Sequence, residues 1–243
     1  MDYVIAIPSY NRPGAISKKT LAMLDRHNIE KERIHIFVAT NEQNVLYTEA
    51  NPGYKIITAQ LGLANARNFI TNYFPIGKPI MSFDDDITEI KQKADTRLQP
   101  IGDLHAFILS GFAMCVEHGR RMFGLYPVAN GMFMKHKLRD GLQLCVGGVW
   151  GILNPGSELR ITVEYKEDYE RCILMYMKDG GVIRFDNVTL VTQFYKGDGG
   201  MVDVRTKELV AEAANTLLTR YPQFVKPRKS TKLGYVEIGL CVK

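Results

Sequence analysis

Pro79-Ile80-Met81-Ser82-Phe83-Asp84-Asp85-Asp86 is the stretch on which the rest of the chain turns. Its first five residues read as a short buried strand, and three consecutive carboxylates follow at the carboxyl end. Three adjacent ionised side chains repel one another. The usual compensation is a hard divalent cation, Mg²⁺ or Mn²⁺, held by one or two carboxylates and completed by substrate phosphates. The segment therefore points to a nucleotide. Taken alone it also reads as an acidic turn feeding a helix N-terminus, where the dipole favours Asp.

Upstream, Tyr3 to Pro8 is a second apolar run, closed by a turn cluster from Ser9 to Gly14 and followed by a helical segment to about His27 that Ser17 is placed to cap. Arg33 to Ala39 and Tyr54 to Ala59 read as strands, each ending in a polar loop. Leu63 to Tyr73 reads as a helix stopped before Pro75, leading into the aspartate-bearing strand. This alternation implies an α/β fold, a Rossmann-like and mostly parallel central sheet with helices on both faces. In such sheets ligands bind at the carboxyl ends of the strands, where the Pro8 to Pro13 loop, the Thr40 to Gln43 loop and the aspartates converge.

Downstream, Asp103 is placed to cap a helix with Leu104, Ile108, Phe112 and Cys115 on one face and Gly119 as its stop. Gln143 to Leu153 reads as a glycine-broken strand that bends beside a substrate, Ile161 to Val163 as a short strand, and Glu164 to Met177 as a helix. Val182 to Phe185 and Thr189 to Gln193 read as strands around an Asp186-Asn187 turn, and Thr206 as the cap of a last helix running to Arg220, ahead of Pro222.

With 243 residues, 46% of them hydrophobic, the chain is expected to form one domain around one substantial core. No apolar stretch approaches the roughly 20 residues that span a bilayer, and the start lacks a signal-peptide pattern. A soluble, cytoplasmic protein with no membrane partner is expected. Cys115, Cys145, Cys172 and Cys241 are far apart, without CxxC pairing, and read as reduced core residues. The net charge of +5 is modest but unevenly spread. Between Glu117 and Asp140 there is no acid, while Arg120, Arg121, Lys135, Lys137 and Arg139 accumulate. From Ala213 to Val236 there is again none, and Arg220, Lys226, Arg228, Lys229 and Lys232 stand beside Tyr221, Phe224 and Tyr235. Basic residues interleaved with aromatics suit a nucleic acid with exposed bases, Arg120, Arg121, Arg228 and Lys229 being the contacts expected; a solvated basic face or diphosphate contacts have the same pattern.

With Ile5-Ala6-Ile7-Pro8-Ser9-Tyr10-Asn11-Arg12-Pro13 at the first strand, Leu61-Gly62-Leu63-Ala64-Asn65-Ala66-Arg67-Asn68 before the acidic strand, and Ser82-Phe83-Asp84-Asp85-Asp86, the chain resembles GT-A glycosyltransferases of the family 2-like kind. The basic composition and the late Lys196-Gly197-Asp198-Gly199-Gly200-Met201 loop are similar to the TET-associated DNA glycosyltransferases of phages, which places the protein in the host cytoplasm. The resemblance implies one GT-A domain over 1–243, with residues 1–90 as its nucleotide-sugar half and 91–243 as its acceptor half. It sets Pro8, Tyr10 and Arg12 around the base and ribose of a UDP-sugar, with Arg67 reaching for the diphosphate or base. Asp84 and Asp86 match the ends of the DXD motif, Asp86 coordinating Mn²⁺ or Mg²⁺ and Asp84 contacting ribose or metal-bound water. Asp85, between them, points the opposite way if the segment is extended and supports the loop.

An inverting transfer needs a general base. Glu167-Asp168 looks like the family's Glu-Asp pair, with Asp168 taking the acceptor proton and Glu167 holding the acceptor; an exposed charged helix face including Glu164 is the other reading. Lys196 is placed to neutralise a phosphate. The last histidine is His136, so the late metal-binding histidine of many GT-A enzymes is absent, leaving Asp198, Asp203 or water to complete the shell. Trp150 is a candidate for stacking on a sugar or base, or for the core, and His35 and His105 read as packing residues. The expected function is metal-dependent transfer of a hexose from a UDP-sugar to a hydroxymethylated pyrimidine in DNA. The alternatives are a glycosyltransferase acting on protein or polysaccharide, and a sugar nucleotidyltransferase.

Overall fold

The computed structural model describes residues 1–95, 97–192, 206–230 and 234–242. Lys196, Asp198, Asp203 and Lys232 therefore lie outside the described residues. Strands β1 (Val4–Pro8), β2 (Ile34–Val38), β3 (Lys55–Thr58) and β4 (Pro79–Phe83) form a parallel half-sheet in the order β3-β2-β1-β4. The second half adds β5 (Glu89–Ala94), β6 (Arg97–Pro100), β7 (Met122–Tyr126), β8 (Leu138–Gly141), β9 (Val149–Leu153) and β10 (Val182–Val191). The sheet continues β4-β9-β7-β10-β5-β6, with β8 also on β10. There β7 and β10 pair in parallel and the other pairings are antiparallel, so the sheet is mixed.

Alternate residues of a strand face opposite sides, and here both sides are covered. Ile5, Ile7, Met81 and Phe83 pack with Ile16 of α1 (Pro13–Ile16), Leu24 of α2 (Ala22–Arg26) and Phe112 of α5 (Leu104–Glu117). Ala6 and Ile80 face the other way, towards Ile70 of α4 (Leu63–Tyr73) and Met175 of α6 (Glu167–Asp179). Val210, Ala214 and Leu217 of α7 (Lys207–Arg220) join Ile173 of α6 in a third cluster. Val225 and Ile238 complete it from a two-stranded ribbon, β11 (Val225–Arg228) and β12 (Glu237–Leu240). No helix among the described residues is long and apolar enough to cross a membrane.

Several elements depart from the sequence expectation. Helix begins at Pro13, whose fixed φ and missing N–H suit the first turn, so Ser17 does not cap it. Ser17 instead lies inside, donating to the Pro13 carbonyl at 3.1 Å and to Asn51 at 2.6 Å, where a π-helical turn (Ser17–Leu21) links α1 to α2. Thr40 caps α3 (Asn41–Ala50), a helix not anticipated: its Oγ1 accepts from the Gln43 amide at 3.3 Å. Ile161 to Val163 forms no strand, and Gln143 to Gly148 is irregular ahead of β9. Asp186-Asn187 does not break the chain: β10 is continuous, its pairing with β7 shifting in register between Phe185 and Thr189. Asp103 and Thr206 do cap α5 and α7.

Candidate active site

The acidic turn after β4 is held from two sides. Asp85 turns towards the first loop, accepting from Ser9 at 2.5 Å and from Arg12 at 3.1 Å. The Tyr47 hydroxyl of α3 meets Ser9 Oγ at 2.6 Å and accepts from the Arg12 amide at 2.8 Å. Asp85 thus supports the loop, as expected of the middle residue. From the π-helical turn, Thr20 Oγ1 donates to the Asp84 carbonyl at 2.7 Å and accepts from the Ile87 amide at 2.9 Å. Asp84 faces the opposite way, where Arg67 of α4 donates to it at 2.6 Å and also reaches Ser82 at 2.6 Å and the Gly147 carbonyl at 3.0 Å. Arg67 is only 2% exposed, so it sets the carboxylate from behind and is not among the lining residues.

The acidic helix start comes to the same place. A cleft of about 770 Å³ is lined by Pro8, Tyr10, Arg12, Asp84 and Asp86 together with Glu167 and Asp168. That volume suits a ligand of nucleotide-sugar size. Glu167 is 6% exposed and Glu170 fully buried, which rules out a solvated charged face. Glu170 is structural: it accepts from Thr162 and Val163 amides at 2.6 and 3.1 Å and from Arg220 at 3.0 Å. Glu164 lies outside the helix. Its carboxylate accepts from the Leu63 amide and, at 3.1 Å, from the Ala64 amide, satisfying the open N-terminus of α4. Gly62, at φ +98°, makes that approach, and Gly147 leaves room for Glu167, whose Oε1 stands 2.8 Å from where a Cβ would be.

Electrostatics mark the cleft as short of positive charge. Asp84, Asp85, Asp86, Glu164, Glu167, Asp168 and Glu237 line it, against Arg12 and Lys166. Although 38% of the Asp84 side chain is open to the cleft, the enclosing walls push its carboxyl up to about 7. Arg67 opposes the rise; Asp86, Glu167 and Asp85 add to it. Burial, then Glu167, push Asp168 up to about 6 against the pull of Arg171. Among the described residues no group of three or more His, Cys, Asp or Glu is arranged to hold a metal ion alone. Two oxygen-donor carboxylates in a site with surplus negative charge nevertheless fit Mg²⁺ or Mn²⁺, which fill their shells with water and phosphate.

Other expected residues fall elsewhere. Arg120 pairs with Asp140 at 2.7 Å, and Arg121 with Asp179 at 2.8 Å and Glu158 at 3.2 Å. Both precede β7, whereas Pro127 and Val128 beyond its other end line the cleft. The separation along the strand is about 15–20 Å. Arg228 is exposed on the ribbon and Lys229 just past it, with Arg228 in register opposite the cleft-lining Glu237. Trp150 is core, 3% exposed, and so is His35, edge-on to Phe74; His105, expected to pack, is instead exposed on α5 and hydrogen-bonded to Tyr3 at 3.0 Å. Sequence reasoning passed over Tyr47, Lys166, Arg171 and Glu237. Tyr47 sits on the unforeseen α3, and Lys166 takes a left-handed backbone, φ 58°, that no local pattern announces.

The mixed, largely parallel sheet, with its β3-β2-β1-β4 half and a cleft at the carboxyl end of β4, is an α/β fold that matches the structures of GT-A glycosyltransferases. The particular likenesses are to solved structures. TarS residues 1–349 from S. aureus, in complex with UDP-GlcNAc, is 13% identical with a TM-score of 0.59, covering 90% of this chain and 67% of that one. Glucosyl-3-phosphoglycerate synthase from Mycobacterium tuberculosis, with Mg²⁺ and UDP, is 8% identical with a TM-score of 0.54, covering 99% and 87%. The mannosyltransferase PcManGT from Pyrobaculum calidifontis, with GDP-Man and Mn²⁺, is 12% identical with a TM-score of 0.58, covering 89% and 64%. The chain thus spans about two thirds of the TarS and PcManGT chains. No family model and no curated protein matches it by sequence.

Proposed function

We propose that the protein transfers a hexose from a UDP-sugar to a hydroxymethylated pyrimidine base in DNA, inverting the anomeric carbon. The observation that carries this reading is the meeting of Asp84 and Asp86 with Glu167 and Asp168 in one cleft. Pro8, Tyr10 and Arg12 wall the part assigned to uracil and ribose. Asp86 with Asp84 would hold Mn²⁺ or Mg²⁺, which when bound neutralises charge growing on the departing diphosphate. Lys166, and Lys196 from outside the described residues, are assigned to the phosphates.

Glu167 holds the acceptor, and Asp168 takes the hydroxyl proton as the acceptor oxygen bonds to the anomeric carbon. The bond from that carbon to the diphosphate oxygen breaks, and its electron pair leaves with the diphosphate. An acid whose carboxyl is raised to about 6 is ionised at neutral pH and is a stronger base than an ordinary Asp. The DNA acceptor draws its support from exposed cations. Lys226 and Arg228 are exposed on the ribbon, Lys229 just past it, and Lys135 and Lys137 on the segment after β7. Beside those two lysines, Met132 is 87% and Phe133 64% exposed. Cations with exposed aromatic and apolar side chains suit phosphates and unstacked bases, and the reacting base must leave the stack.

The test is incubation with Mn²⁺, a panel of UDP-sugars and DNA carrying 5-hydroxymethylated pyrimidines, followed by nucleoside mass analysis. Gain of one hexose on the modified base is expected. UDP release without any change in DNA would shift the acceptor to protein or polysaccharide. No donor consumption with any acceptor would remove the transferase reading.

A further inference from the structure

Trp150 is the chain's one tryptophan, and two guanidinium groups lie against its ring. Arg171 stands 3.8 Å and Arg67 5.5 Å from the ring centroid. The arginines then lead to different parts of the cleft. Arg67 ends on Asp84, in the acidic turn assigned to the donor. Arg171 faces Glu167 at 3.7 Å, in the helix start assigned to the acceptor. The Gly147 carbonyl joins the two sides, accepting from Arg67 at 3.0 Å while Gly147 leaves the space that Glu167 Oε1 occupies.

Arg171 is an expensive way to fill a core. It is fully buried, and Nε, Nη1 and Nη2 have no hydrogen-bond partner among the described residues. The Trp150 indole N–H likewise has none. A buried guanidinium without hydrogen bonds contributes little stability, and a flat apolar side chain of similar length would pack on Trp150 at lower cost. What the charge does supply is an attraction to Glu167 and a cation–π contact that fixes its own position. Buried charge of this kind is best explained by a demand of the site.

We propose that Arg171 is a positioning residue for the transfer reaction. Through Trp150 it holds Glu167 and the start of α6 in fixed relation to the Arg67–Asp84 pair, so that donor and acceptor halves of the cleft share one cation–π column. The proposal rests on the glycosyltransferase reading for its consequence in turnover, and on the column alone for its consequence in Trp150 fluorescence. Binding at Asp84 loads Arg67 and is felt at the indole. Loss of Arg171 leaves the donor half in place and releases Glu167.

The experiment titrates UDP with Mn²⁺ into wild type, Arg171→Lys and Arg171→Met, reading Trp150 emission, and measures kcat and donor KM with a UDP-sugar the wild type turns over. Wild-type emission is expected to shift with UDP. Arg171→Met should keep UDP affinity within about threefold and lose about tenfold or more in kcat, the scale of a misplaced reacting group. Arg171→Lys, which retains a charge over the ring, should recover part of the loss. Retention of more than about half the wild-type kcat in Arg171→Met overturns the proposal. So does parallel loss of UDP affinity and melting temperature in both variants, which marks a purely structural residue. Should Arg171→Met fail to fold, the kcat-against-KM split in Arg171→Lys decides. If wild type turns over no sugar, the transferase reading fails by itself. The column is then refuted by wild-type Trp150 emission that ignores UDP.

Discussion

Asp168→Asn should make the protein more stable and far less active, and the two effects have one cause. Burial and the adjacent Glu167 carboxylate raise the Asp168 carboxyl from 3.8 to about 6. Between those values the folded chain binds the proton more tightly than the unfolded chain, so this group's contribution to stability falls as pH rises through that window. Two units correspond to at most about 3 kcal/mol at pH 7, and water in the cleft reduces this to about 1–3 kcal/mol. An uncharged Asn carries no such penalty. Turnover moves the other way, since loss of a general base costs about 10²–10⁴-fold, or about 2.7–5.4 kcal/mol of barrier. The ionised carboxylate is the active form, so wild-type kcat should rise with pH through about 6 and stand near a tenth of its plateau at about pH 5. The assay pairs kcat from UDP release across this range with urea unfolding at neutral and acid pH. Turnover above about a tenth of wild type in the variant, a flat wild-type profile, or a variant less stable than wild type at neutral pH would refute the reasoning.

Replacing Arg228 and Lys229 together by Ala should flatten the log-log salt slope of DNA binding by up to about two units, at about −0.9 per duplex phosphate contact, with UDP affinity unchanged. An unaltered slope with weakened UDP binding would assign the ribbon to the donor. Arg121→Ala should leave that slope alone but cost about 1–3 kcal/mol in denaturant unfolding, because Asp179 loses its guanidinium partner with only 10% of its side chain exposed. Tyr47→Phe should weaken UDP binding and lower stability by about 1–3 kcal/mol, as the Arg12 amide loses its acceptor. Equal UDP affinity by calorimetry would separate the first loop from the donor.

How far the sequence could be read follows the range of the forces involved. β4 and α4 were legible to the residue because an apolar run and a helix-stopping Pro75 are local signals, as are the Asp103 and Thr206 caps. The convergence of Asp84, Asp86, Glu167 and Asp168 was legible only through the resemblance of their motifs, since nothing local joins residues some 80 positions apart. α3 escaped because it buries only Gln43 and Tyr47 and shows no apolar stripe. Arg120 and Arg121 looked available because no acid stands between Glu117 and Asp140 in the sequence. Their partners, Asp140 and Asp179, come from β8 and the end of α6. Arg171 carried no signal at all, for its role depends on which ring and which carboxylate the fold sets beside it.

Calorimetric titration of UDP into wild type and Asp86→Asn, with and without Mn²⁺, tests the central claim most directly. The account predicts that Mn²⁺ strengthens UDP binding to wild type, and that Asp86→Asn, folded to the same melting temperature, loses that metal-dependent gain. Equal metal-dependent affinity in the two proteins, or UDP binding by wild type that Mn²⁺ leaves unchanged, would contradict it.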